Sequence, residues 1–173
     1  MFLDETWAAT NMARRCGRAP RGRRALDAAP RGRWRTTTVV AALRADGIAA
    51  PLVPEGAISG PAFLAHVERF LAPALRPGDV LVLDNLSSHK AAGVREAVEA
   101  AGATLLYLPP YSPDLNPVEQ AFAKLEALLR DAAARTTEAL WAAVGQALRR
   151  FPAGRVRPLP RTRRLRAVGV TSL

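Results

Sequence analysis

Apolar residues in this chain come in short runs, and the period of each run predicts an element. Residues 2–7 begin apolar and turn acidic, the pattern of a strand that delivers Asp4 near its end. Residues 36–43 are rich in β-branched side chains, Asp46-Gly47 supplies a turn, and residues 48–53 run back as the second arm of a hairpin. Pro51 cannot donate to a ladder, so that arm is expected at a sheet edge. Ser59-Gly60-Pro61 then opens a helix in which Phe63, Leu64, Val67, Phe70 and Leu71 recur at helical spacing, closed by Pro73 and Pro77-Gly78.

Residues 80–83 are an unbroken apolar run, which predicts a strand buried on both faces, and the run ends in Asp84. A helix over residues 91–101, stopped by Gly102, and a second such strand over 104–108 complete a parallel crossover unit. Functional groups of such units gather beyond the carboxyl ends of the strands. Residues 109–113 are too proline-rich for helix or central strand and read as a stiff loop. Asn116 is placed to cap the next helix, with Pro117 at its first position and Val118, Phe122, Leu125 and Leu129 as its apolar stripe. Thr136 or Thr137 caps a last helix through Leu140, Trp141, Val144 and Leu148. Trp7, Trp34 and Trp141 are expected in the core or at its edge, and Glu126 and Asp131 on solvated helix faces.

These elements predict one α/β domain over residues 1–151, a mixed central sheet with flanking helices. From Pro152 the periodicity dissolves, so residues 152–173 read either as a disordered basic tail or as a tail translated out of its ancestral frame. Composition agrees with a folded domain, since 49% of the 173 residues are apolar and that is enough to build a core. No run is long enough to cross a bilayer, and Asp4 and Glu5 stand where a signal peptide needs a basic and then an apolar stretch. A cytoplasmic protein with no membrane partner is expected. The lone Cys16 excludes an internal disulfide and a cysteine zinc cluster.

Charge is unevenly spread. The net is +10, but residues 14–35 hold nine arginines against Asp27, and residues 153–173 hold six arginines and no acid. The remainder is therefore mildly acidic. Two basic segments of this kind point to a polyanionic partner, with a merely solvated basic face as the alternative. Arg14, Arg15, Arg33, Arg35 and Lys90 are the candidate phosphate contacts, which set affinity and register without reading sequence.

Three carboxylates stand where this architecture exposes them together: Asp4 on the first strand, Asp84 at the end of the central one, and Glu119 after the proline loop. Singly each has an ordinary account, as a surface acid, an Asx-turn residue, and the far end of a capping box with Asn116. Jointly they offer the converging oxygens that a hard divalent cation needs.

Three blocks carry a family resemblance. Phe2-Leu3-Asp4-Glu5, then Val82-Leu83-Asp84-Asn85 with His89 close behind, then the long run Leu108-Pro109-Pro110-Tyr111-Ser112-Pro113-Asp114-Leu115-Asn116-Pro117-Val118-Glu119, resemble the signature blocks of the mariner-like transposases. The match is to their bacterial insertion-sequence branch, whose typical spacing is met by the 34 residues between Asp84 and Glu119. The resemblance spans about residues 2–150. It implies a ribonuclease-H-like fold and a DNA transposase catalytic domain that hydrolyses phosphodiesters and transfers strands at transposon ends. Asp4, Asp84 and Glu119 are then the catalytic triad, holding two Mg²⁺ or Mn²⁺ ions. Glu5, Asn85 and Asn116 are expected to orient the ligands or the water. His89 is expected either at the scissile phosphate or as a helix-start residue without a chemical role.

The implied partners are double-stranded DNA, both transposon ends and target, and a second copy of the chain, since family members act as dimers on paired ends. A nucleoid-associated protein follows. Relatives carry helix-turn-helix modules ahead of the catalytic domain, whereas this chain begins on the first catalytic strand. The expectation is a reading frame joined to an upstream DNA-binding product, or a truncated remnant. Two rival functions stand beside transposition: a ribonuclease-H-like nuclease that cuts without joining, and a catalytically inactive DNA-binding or dimerisation remnant.

Overall fold

Two apolar clusters on opposite faces of a five-stranded sheet organise the chain in a computed structural model that describes residues 1–28, 30–110 and 112–151. The strands are β1 (Phe2–Ala9), β2 (Thr36–Arg44), β3 (Gly47–Leu52), β4 (Val80–Leu83) and β5 (Thr104–Tyr107). Their order across the sheet is β3-β2-β1-β4-β5. The first three pair antiparallel, while β4 runs parallel to β1 and β5 parallel to β4. The sheet is thus mixed, and Pro51 sits on the edge strand β3, where its missing N–H costs no ladder bond.

Side chains alternate across the sheet, so each strand feeds both clusters. Leu3, Val40, Ala42, Leu81, Leu83 and Leu105 point to one face. There they meet Phe63 of helix α1 (Gly60–His66), Val67 and Leu71 just beyond it, and Val94 and Val98 of α2 (Val94–Ala100). Ala8, Val39, Ala41 and Leu43 point to the other. They are covered by Val118, Phe122, Leu125 and Leu129 of α3 (Val118–Ala132) and by Leu140, Val144 and Ala147 of α4 (Thr137–Leu148). Each fully buried Leu or Phe contributes about 1.5–3 kcal/mol relative to an exposed one. Thr136 caps α4, its Oγ1 accepting from the N–H of Ala139 at 3.2 Å.

Several expectations need correction. The predicted helix after Ser59 is α-helical only to His66; it continues as a π-helical segment, Val67–Leu71, and a 3-10 turn, Ala72–Ala74. The wider turns break the 3.6-residue period, so Phe70 swings outward to 51% exposure while His66 is buried. The helix expected over residues 91–101 is shorter, a 3-10 turn over Ser88–Lys90 followed by α2. Strands β4 and β5 are buried on one face only, with Val80 and Leu106 open to solvent, because α3 lies across β1 and β2 instead. The three tryptophans are all at least 40% exposed, and Trp141 anchors itself by donating from Nε1 to Thr37 Oγ1 at 3.3 Å. The tail 152–173 lies outside the described residues.

Candidate active site

Parallel pairing of β1 with β4 stops after two residues, Phe2 with Val82 and Leu3 with Leu83. The residue that follows on each segment is an aspartate, Asp4 within β1 and Asp84 just past the end of β4. Beyond that point β1 continues as far as Ala9 beside β2, whereas the chain leaves β4 for the turn that precedes α2. The two acids therefore stand at the fork where the strands part, the position at which parallel sheets expose functional groups. Glu119 arrives from the opposite direction, in the first turn of α3, whose buried stripe seats the helix against β1.

Asp4, Asp84 and Glu119 line one cavity of about 350 Å³, shared with Asn85, Asn116 and the proline loop. Among the described residues, no lysine or arginine lines it. Asp4 is 6% exposed, and both its oxygens are engaged: Oδ1 accepts from the N–H of Glu5 at 2.7 Å and Oδ2 from Asn116 Nδ2 at 2.7 Å. Burial, then the charges of Asp84 and Glu119, push the Asp4 carboxyl up to about 6, against the pull of the Glu5 N–H. Among the described residues the cavity wall thus gathers three carboxylates with no lysine or arginine beside them. An all-oxygen set of this kind fits a hard divalent cation. Among the described residues, no three Asp, Glu, His or Cys side chains form a coordination cluster.

Asn116 does not serve as the simple helix cap expected of it. Pro117 takes the cap position, and the buried Asn116 amide spans the gap, its Oδ1 accepting from Val118 N–H at 3.4 Å while its Nδ2 holds Asp4. Asn85 lines the cavity beside Asp84. Glu5, one residue beyond Asp4, points to the other face of the sheet, where its Oε1 lies 3.0 Å from His89 Nε2.

His89 departs furthest from expectation. It is fully buried, with none of its surface open to solvent. Its Nδ1 lies 2.5 Å from Asp84 Oδ1, a contact that is short rather than well aligned. Burial alone would lower the imidazole, but Asp84 and Glu5 outweigh it and raise it to about 9. Reciprocally, burial would raise Asp84, and the imidazole together with the Leu86 N–H holds it below the usual carboxylate range. Two neighbours of His89 carried no signal in the sequence. Phe63 packs against the ring at a tilt of 37° with centroids 4.4 Å apart, and the Tyr107 hydroxyl donates to the His89 carbonyl at 3.0 Å.

The basic candidates lie elsewhere. Residues 10–35 form a long excursion from the β1–β2 pair, closed at its base where Thr10 N–H donates to the Arg35 carbonyl at 3.0 Å. Its arginines are exposed. Arg14 is committed to Asp131 at 2.7 Å, and Arg15 lines a shallow cavity with Glu126 and Arg130. Glu126 is not simply solvated; it pairs with Arg130 at 3.2 Å and accepts from Thr6 Oγ1 at 3.3 Å. Arg33 and Arg35 converge with Arg135 on a cavity of about 360 Å³ beside the start of α4. Lys90 is exposed, with Nζ 5.8 Å from the Tyr107 ring centroid. No helix among the described residues is long and apolar enough to cross a membrane.

Fold and cavity together define a class: an α/β domain of ribonuclease-H type with an acidic cleft at a strand fork. Residues 1–141 match the family described as DDE superfamily endonuclease, and the chain belongs to that family. Solved structures of Mos1 share the fold. The Mos1 strand transfer complex is 20% identical with a TM-score of 0.58, covering 86% of this chain and 51% of the Mos1 chain. The Mos1 mariner paired end complexes with Mn and with Mg are each 19% identical with a TM-score of 0.53, covering 86% of this chain and 52% of theirs. The chain thus spans about half the length of these relatives. Among curated proteins, none matches the sequence.

Proposed function

We propose that this chain is the catalytic domain of a mariner-like DNA transposase, with Asp4, Asp84 and Glu119 as its catalytic carboxylates. The observation that carries the reading is the fork itself. Pairing of Leu3 with Leu83 makes an aspartate the next residue along each segment, and Glu119 lines the same cavity, whose wall carries no lysine or arginine among the described residues. Family membership and the Mos1-like fold support it.

The three acids would hold two Mg²⁺ or Mn²⁺ ions, and the Mos1 complexes with Mn and with Mg favour that choice of metals. Such ions supply Lewis acidity toward the phosphoryl oxygens and lower the cost of the leaving oxygen's charge. The chain's own residues supply the frame. Asn116 and the Glu5 N–H fix both oxygens of Asp4, so its remaining lone pairs face the cavity in one orientation. Pro109, Pro110 and Pro113 of the proline loop form one wall of the cavity.

In the reaction, a water oxygen bonds to phosphorus as the phosphorus bond to the leaving DNA oxygen breaks, the leaving oxygen taking a proton. In the joining step a DNA 3′-hydroxyl replaces the water. Double-stranded DNA, at transposon ends and target, is the substrate; exposed Arg33 and Arg35 are offered as backbone contacts, with Lys90 nearer the fork. A second copy and an upstream DNA-binding product complete the proposed assembly. The test is cleavage and joining of a labelled, pre-nicked transposon-end duplex with Mg²⁺ or Mn²⁺, beside an Asp84→Asn control. Metal-dependent cut and joined products absent from the control are expected. Cutting without joining would make the chain a nuclease, and products unchanged in the control would sink the triad.

A further inference from the structure

We infer that His89 is a positioning residue for Asp84: held by Glu5 through Nε2, it contacts Asp84 Oδ1 through Nδ1 and leaves Oδ2 as the oxygen presented to the cation. The inference rests on the reading of Asp84 as a metal ligand.

Three observations carry it. First, the ring is wedged between two carboxylates from different strands, 3.0 Å from Glu5 Oε1 and 2.5 Å from Asp84 Oδ1. Adjacent residues on a strand point to opposite faces, so Asp4 turns toward α3 and Glu5 toward α1. The Glu5 to His89 to Asp84 chain therefore reaches the fork from behind, on the face away from Asn116 and Glu119.

Second, His89 is fixed on every side. It is fully buried, the tilted Phe63 ring packs against it with centroids 4.4 Å apart, and Tyr107 Oη donates to its carbonyl at 3.0 Å. A ring held in this way has few alternative rotamers, so it transmits a defined orientation to Asp84. Third, the Leu86 N–H donates to the same Oδ1 at 3.1 Å. Both protein contacts fall on one oxygen. Asp84 is otherwise exposed to the cavity and free to rotate about its last bond. Metal ligands whose orientation is fixed by such outer contacts typically lose 10- to 100-fold in metal affinity when the contact is removed.

Asparagine and glutamine separate the two ends of the ring. An asparagine amide nitrogen falls near the place of Nδ1 and keeps the contact with Asp84; a glutamine amide falls near Nε2 and keeps only Glu5. Mn²⁺ binding to the full chain is measured by titration calorimetry for wild type, His89→Asn, His89→Gln, Glu5→Gln and Asp84→Asn, with circular dichroism and thermal melting to verify folding. The expected result is Mn²⁺ affinity within about 3-fold of wild type for His89→Asn and a loss of roughly 10- to 100-fold for His89→Gln. Glu5→Gln, which loosens the ring without removing it, falls between them. A merely structural histidine would give the two His89 variants equal affinities, and that result overturns the inference. Should both His89 variants fail to fold, wild-type affinity in Glu5→Gln overturns it instead. If wild type and Asp84→Asn titrate alike, the metal-ligand reading fails, and this inference falls with it.

Discussion

The fork of β1 and β4 and the excursion from residue 10 to 35 carry opposite charges, and they are built in opposite ways. At the fork, Asp4 is 6% exposed, both its oxygens are engaged, and its place is set by the register of three neighbouring strands. In the excursion, nine arginines face solvent from a segment without strand or helix among its described residues. On the proposed reading, the difference follows from what each charge must do. In-line chemistry at phosphorus depends on ångström placement, which only a packed register provides. Backbone contacts need only charge within reach, and rigidity there would add little to affinity. The two regions should accordingly fail in different ways when altered.

The largest effect is expected for Glu119→Gln, which removes one of the three acids while keeping its shape. Several kcal/mol of charge stabilisation at the reacting phosphate would go, on the order of 10³-fold or more in cleavage rate. DNA affinity measured by fluorescence anisotropy in EDTA should stay within about 2-fold, because the arginines are untouched. Parallel loss of both would mean that the fork and the excursion act as one unit, and the contrast drawn between them would be wrong.

Asp4→Asn comes next, with an effect of opposite sign on stability. The Asp4 carboxyl titrates near 6 in the folded chain against an ordinary 3.8, so protons favour the folded state. Without metal, the wild type therefore loses stability as pH rises from about 4 through 6 and recovers none above that. The asparagine variant escapes this loss, which amounts to about 2–3 kcal/mol at pH 8 and vanishes below pH 4. Urea unfolding in EDTA at both pH values measures the difference. Mg²⁺ should then raise the wild type and leave the variant unchanged, since a ligand that binds only the folded state stabilises it. A wild type whose stability in EDTA falls between pH 4 and pH 8 no more than that of Asp4→Asn would mean that the fork holds its charge without strain.

Much of this was legible in sequence because the fork is made of local patterns. Residues 80–83 and their terminal Asp84, the hairpin around Asp46-Gly47 and the stripe of α3 each announce themselves within a few residues. The contacts that cross the sheet do not. His89 and Glu5 are 84 residues apart, and nothing in either segment says that a histidine at the start of a helix will turn inward. Asn116 has the composition of a cap, yet the 112-residue reach to Asp4 decides its role. The π-helical segment after His66 similarly hides from a search at 3.6 residues, and with it the outward turn of Phe70. Coverage of β4 and β5 depends on where α3 lands, which is a property of the whole sheet and not of either apolar run.

The smallest effect belongs to the arginines, and it discriminates among them. Arg33 and Arg35 share a cavity with Arg135, and Arg35 gives up only part of its charge to an exposed Glu55 at 3.2 Å. Arg14 is engaged by Asp131 at 2.7 Å. An arginine released from no partner gains the full benefit of a phosphate, whereas one already paired must exchange partners. The double change Arg33→Ala, Arg35→Ala should weaken DNA binding uniformly across sequences and lower the slope of log affinity against log salt by about 1–2. Arg14→Ala should lower it by about half a unit or less. The catalytic rate at saturating DNA should be unchanged in all of them, since none touches the fork. A larger slope change from Arg14 than from the Arg33–Arg35 pair would place the DNA path along α3 near Asp131, and the cavity beside α4 would lose its part in the assembly.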